Sequence, residues 1–190
     1  MLKGKVNHLV TAGFLAIGLM LSSQVMAAFT AADAAELNTE AKATLDQFKA
    51  ETKGAEEVLA NAKGLLICPK IYKAGLGVGA EHGKCVLTKG AGEPLYYGST
   101  GIKAGMIAGV EAHSMILAIN TDEALAKFTS GEREWEFGAD ISIAVATIGA
   151  GGDIDTTNLK KDIVSFIFGE KGLMADVTWE GSRFKKLDVE

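Results

Sequence analysis

The chain has 190 residues, 48% of them apolar and 23% charged, which suits a domain with a true hydrophobic core and excludes a disordered chain. Glycine is abundant (23) and proline scarce (2), with no triplet period, so the chain is not collagen-like. That balance points to a fold needing close backbone approach or many tight turns.

Residues 1–27 are distinct material. Lys3 and Lys5 form a basic start, an apolar stretch runs from Leu9 to Leu21, and Val25-Met26-Ala27 ends in small side chains. This is the layout of a secretory signal peptide cut after Ala27 or Ala28. The apolar run is shorter than the roughly 20 residues a membrane span takes. No Cys follows the cut and no Arg pair stands near the start, which disfavours a lipoprotein anchor and twin-arginine export. The expected location is therefore periplasmic or extracellular. Removing the leader takes two Lys and no acid, leaving 17 basic and 24 acidic residues and a net charge of −7. That field repels nucleic acid, although a local basic patch can still meet an anionic lipid head.

Residues 31–63 read as helix, with Leu37, Ala41, Leu45 and Phe48 at helical spacing and a break at Gly54 before a second short helix, Glu56–Lys63. Gly64 stops it. Leu65–Cys68 reads as a short strand ending at Pro69. Val78–Leu87 and Leu95–Gly101 read as further strands, with turns at Glu81–Lys84 and Lys89–Pro94, and Met115–Ile119 alternates as another. Asn120–Phe128 reads as a helix capped by Asn120, with Glu123 and Lys127 an i,i+4 pair. Trp135, Phe137, Ala139, Ile141, Ile143 and Val145 share one parity, so Glu134–Thr147 reads as one long strand of about 46 Å if straight. Ile163–Phe168 and Met174–Trp179 read as a strand pair around Gly169–Gly172, with a last strand at Arg183–Leu187. The expectation is an α+β fold: a helical N-terminal lead over 28–63, packed on a Gly-rich, strongly curved antiparallel sheet over 64–190 whose limiting form is a barrel.

Chemical motifs are sparse. Gly75-Leu76-Gly77-Val78-Gly79-Ala80 has the letters of a dinucleotide loop, but a turn and strand follow where the phosphate-holding helix belongs. Cys68, His82, Cys85 and His113 fit no standard zinc spacing, and Asp153-Ile154-Asp155 is a polar turn rather than a calcium loop. No nucleophile elbow exists, and the paired Glu134 and Glu136 suit a solvated strand face. No catalytic residue, metal or cofactor is expected. Two cysteines in an exported chain favour a Cys68–Cys85 disulfide, with two buried thiols as the alternative. Two basic clusters are candidate contacts for an anionic lipid head: Lys70 with Lys73, and Arg183 with Lys185 and Lys186.

Several segments together resemble the SYLF-domain family. They are Ala62–Pro69 (AKGLLICP), Lys73–Gly83 (KAGLGVGAEHG), Tyr96–Gly109, Thr121–Phe128 (TDEALAKF), Trp135–Ile143, Gly149–Asp155 (GAGGDID), Phe168–Met174 (FGEKGLM) and Glu180–Phe184. The likeness spans roughly residues 50–187 in the family's order. It implies phospholipid association, especially with phosphoinositides, and brings no catalytic residues. Actin contact belongs to the family's eukaryotic members. Two departures stand out. Position 68 is usually large and apolar in the family and position 85 small, and both are Cys here. That coincidence implies a bridge between neighbouring strands, worth about 3 kcal/mol for a loop of this length. Near Gly105 the family favours Gln where this chain has Ile107 and Glu111.

These readings lead to a non-catalytic phospholipid-binding module of the cell envelope. The alternatives are an envelope structural or stress protein binding partners through a sheet edge, and a small metal-dependent hydrolase using His82, His113 and the cysteines.

Overall fold

Thr30 and Asp33 set the start of the first helix. In the computed structural model, which describes residues 28–130, 135–136, 144–146, 161–173 and 182–190, helix α1 runs Ala31–Glu51. The Asp33 N–H donates to the Thr30 hydroxyl (3.2 Å) and the Thr30 N–H to the Asp33 carboxylate (2.9 Å), a reciprocal cap. Hydrogen bonds from Thr30, aided by the nearby Lys84 charge, hold the Asp33 carboxyl below its ordinary range. Ala34, Leu37, Ala41 and Phe48 fall on one buried stripe. The expected break comes at Gly54, and helix α2 follows over Ala55–Asn61.

Strand β1 runs unbroken over Gly64–Thr88 and β2 over Leu95–Ile119, paired antiparallel from Gly64↔Ile119 to Leu87↔Leu95. The separate short strands expected here, and the turn at Glu81–Lys84, are corrected by this: each strand is the other's ladder partner, so the glycines and Pro69 stay within the ribbon. Pro69 does not end a strand. It sits where the register shifts between Cys68 and Ile71, a bulge that tolerates its missing N–H, and its carbonyl accepts a 2.8 Å bond from the Ser114 hydroxyl.

The ribbon folds back on itself. Cys68 and Cys85 lie with their Cα atoms 4.1 Å apart and are joined by a disulfide. The Thr88 hydroxyl donates to the Leu65 carbonyl at 3.5 Å. A Cβ placed on Gly83 would come within 2.8 Å of the Lys70 carbonyl oxygen, so only glycine permits this approach. The first and last thirds of β1 therefore run antiparallel, side by side, and the bridge staples two parts of one strand rather than two neighbouring strands. The fold-back centres on Gly77, whose φ of +74° suits glycine. There Leu76 faces Ala108 and Val78 faces Ala104, so β2 spends two more residues than β1 on the bend. β2 runs the outer track and needs the longer path.

Helix α3 spans Asp122–Thr129. Its cap is Thr121, whose hydroxyl accepts from the Ala124 N–H at 3.2 Å, one residue later than expected. The Asn120 amide instead donates to the Lys161 carbonyl at 2.8 Å. Glu123 and Lys127 pair at 3.4 Å. Of the long strand expected over 134–147, the described residues show two short strands, β3 (Trp135–Glu136) on β6 and β4 (Ala144–Ala146) on β5; the stretch between them lies outside the described residues. β5 is one strand, Ile163–Leu173, where a turn was expected at 169–172; the expected partner over 174–179 lies outside the described residues. β6 is Ser182–Leu187.

The sheet is ordered β3-β6-β2-β5-β4, with β1 also on β2. β2 thus offers its first half to β6 and its second half to β5. All pairings are antiparallel except β4 with β5, and the described strands do not close into a barrel. One sheet face packs on α1 and α2 through Ile67, Val86, Tyr96, Ile116, Val164 and Phe166. The other packs on α3 through Leu66, the two cysteines, Leu87, Met115, Leu117 and Phe184. Phe29 bridges to Val189, and the Glu190 N–H donates to the Phe29 carbonyl at 3.0 Å, which fixes where α1 begins.

Candidate functional site

Alternation along the strands sorts the expected cations onto different faces. After the Pro69 bulge the even positions of β1 point out and the odd ones in. Lys70 and Lys84 are exposed, and each reaches an acid of α1: Glu40 at 3.4 Å and Asp33 at 3.7 Å. Lys84 also stands 5.0 Å from the Phe29 ring centre. Lys73, expected beside Lys70 as a surface cation, is instead buried, directly opposite Glu111 in the ladder. Its odd position turns it inward, which removes it from any solvent-facing cluster.

Arg183 and Lys185 are exposed on one face of β6, and Lys186 is exposed on the other. Register aligns the first two with β1. Lys84, Gly98 and Lys185 form one cross-strand row, and His82, Thr100 and Arg183 form the next. Neighbouring strands lie about 4.8 Å apart, so each row brings side chains remote in sequence within about 10 Å. The structure therefore joins Arg183 and Lys185 to Lys84 and His82, two residues absent from the sequence-derived set. Their signal in the sequence was only an outward parity, readable once the bulge is known.

The inner face carries a buried polar group. His113 Nδ1 lies 3.0 Å from Glu111 Oε1, with Lys73 opposite. Glu81 reaches Ser182 across Gly101, where a Cβ would meet the Glu81 side chain at 2.8 Å. Charges removed from water need such partners. Lys73, Glu81, Glu111 and His113 are each more than nine-tenths buried, so they brace the ribbon from within.

Two clefts flank α1. One of about 430 Å³ is lined by Glu40, Thr44, Gln47, Lys70 and Ser114, and another of about 250 Å³ by Asp33, Glu36, Tyr72, His82 and Lys84. The Cys68 and Cys85 sulfurs are bonded to each other, and His82 and His113 point to opposite faces, so the zinc site weighed from the sequence does not form. Among the described residues no three His, Cys, Asp or Glu gather as a metal site, and no helix is long and apolar enough to cross a membrane.

The family model described as Ysc84, Las17-binding protein actin regulator, matches residues 100–188. That stretch is similar to the SYLF-domain family, consistent with the resemblance seen in the sequence. The match takes in β2 from Thr100 onward together with α3, β5 and β6, and so Arg183, Lys185, Glu111 and His113, while β1, with Lys73, Glu81, His82 and Lys84, lies outside it. Lipid-binding or actin-regulating roles attach to this family, which is generally non-catalytic. A comparison with curated proteins found no match.

Proposed function

We propose that the protein is a non-catalytic phospholipid-binding module of the cell envelope, peripheral to a membrane face. The observation that carries this reading is the pair of adjacent rows Lys84–Gly98–Lys185 and His82–Thr100–Arg183 on one exposed sheet face. Cations spaced about 7 to 10 Å apart suit neighbouring lipid phosphates. The SYLF match over 100–188 supports a lipid-facing role, and the disulfide agrees with an oxidising compartment outside the cytoplasm. Lys70 frames the same face from the far arm of the ribbon, and Lys186 adds positive charge on the opposite face of β6.

Flotation of the mature protein with vesicles tests this. Binding to phosphatidylglycerol vesicles at low salt, weakened by salt and by Arg183→Ala with Lys185→Ala, is the expected result. No association with anionic or zwitterionic vesicles would end the reading. A second reading, a protein partner at a sheet edge, draws on the family's description as Las17-binding. Recovery of one defined partner, with vesicles indifferent, would favour it.

A further inference from the structure

The folded ribbon exposes an apolar crest. From Lys70 to Lys84 the outward positions of β1 are Lys70, Tyr72, Ala74, Leu76, Val78, Ala80, His82 and Lys84, all exposed. Between the two lysines that face carries no Lys, Arg, Asp or Glu. Leu76 is 85% exposed, Ile102 77%, Val110 66%, Val78 62% and Tyr72 55%. These are neighbours rather than scattered residues: Val110 lies opposite Ala74 and Ile102 opposite Ala80. A cluster of exposed aliphatic side chains at a bend marks a contact surface.

We propose that this crest is a bilayer-insertion element. Leu76, Val78, Ile102 and Val110 enter the acyl boundary of an anionic phospholipid membrane, while the cation rows behind them meet the phosphates. The inference rests on the phospholipid reading and specifies how the protein engages the lipid.

The order of side chains along the strands selects a bilayer as the occupant. Leaving the crest, the face passes from Ala80 and Ile102 to the row His82–Thr100–Arg183, and then to Lys84–Gly98–Lys185. Apolar groups give way to a row with one Arg and then to a row with two Lys within four residues, or about 13 Å of strand. A membrane interface has the same sequence of layers over a similar depth. Tyr72, amphipathic and at the margin, suits the headgroup level. A flat apolar protein partner gives no reason for cations on one side of the patch in two registered rows.

The test uses protein purified from the envelope, its N-terminus read by mass spectrometry. Its native cysteines are bonded to each other, so an environment-sensitive fluorophore can be attached through Leu76→Cys, with Asn61→Cys on exposed α2 as the reference. On phosphatidylglycerol vesicles the label at 76 should shift to an apolar signature and the label at 61 should not. Leu76→Glu and Val78→Glu, both at exposed positions, should keep the circular dichroism of the parent and weaken vesicle partition at least about tenfold. Leu76→Ile should keep it. If the parent binds vesicles but the label at 76 stays aqueous and the Glu variants bind equally, insertion is overturned and the phospholipid reading stands. If the parent binds no vesicle, both fall. A concentration-dependent shift at 76 without vesicles would assign the crest to a second copy of the chain and overturn the proposal.

Discussion

Removing the Cys68–Cys85 bridge should cost about 3 kcal/mol, and the structure says where that cost falls. The bridged residues are 17 apart, and closing a loop near that length removes about 3 kcal/mol of chain entropy from the unfolded state. Both cysteines are fully buried among Leu66, Ile71, Leu87 and Met115. Reduced thiols fill nearly the same space, and β2 still flanks both arms of β1, so native packing survives and the loss acts on the unfolded chain. For a domain of this size, at about 2 to 4 °C per kcal/mol, the melting temperature should fall by about 6 to 12 °C. The unfolded chain should also become more expanded, raising the urea m-value. The assay compares thermal and urea unfolding of the oxidised protein with protein unfolded, reduced and refolded under reductant. Cys68→Ala with Cys85→Ala should lose more than reduction does, because it also removes two packed sulfurs. A reduced protein melting within about 2 °C of the oxidised one, with unchanged m-value, would refute the loop-entropy argument.

Gly83→Ala should destabilise by about 1 to 3 kcal/mol, because the new Cβ meets the Lys70 carbonyl oxygen at 2.8 Å, backbone that cannot step aside. Gly98→Ala, whose Cβ would rest 3.6 Å from Leu187, should change urea stability by less than about 1 kcal/mol. Phe48 is fully buried, 5.2 Å from the Phe166 ring and 5.3 Å from Phe168, so Phe48→Ala should cost about 3 to 5 kcal/mol in the same assay. Burial raises the Tyr97 phenol from 10.0 to about 12. Its folded form holds the proton more tightly, so its contribution is complete below pH 10 and is lost as the pH climbs toward 12. Thermal melts across that window should fall more steeply for the parent than for Tyr97→Phe, and equal slopes would contradict the assignment.

The local parts of this protein could be read from its residues. Helical spacing through Leu37, Ala41 and Phe48, the break at Gly54, the Glu123–Lys127 pair and the final strand near Arg183 each depend on neighbours within a turn or two of chain. The Thr30–Asp33 cap was equally local, since a hydroxyl three residues before a carboxylate is its signature. The ordered SYLF-like segments were also legible, and the cysteine pairing followed from two departures within them.

Contacts remote in sequence decided the rest. The glycines of 75–83 look like turn formers until β2 lies beside them and keeps β1 intact. A one-residue shift at Pro69 turned Lys73 into the interior and sent Lys70, Leu76 and Lys84 outward. No periodicity rule reveals such a shift, because a bulge exchanges the faces without changing the composition. The pairing of Lys84 with Lys185 across Gly98 joins positions about a hundred residues apart. Sequence by itself determined which segments could be helix or strand and which side chains alternated along them. Only the tertiary structure chose which of those alternating faces met water, because that choice belongs to the ladder between strands and not to either strand alone.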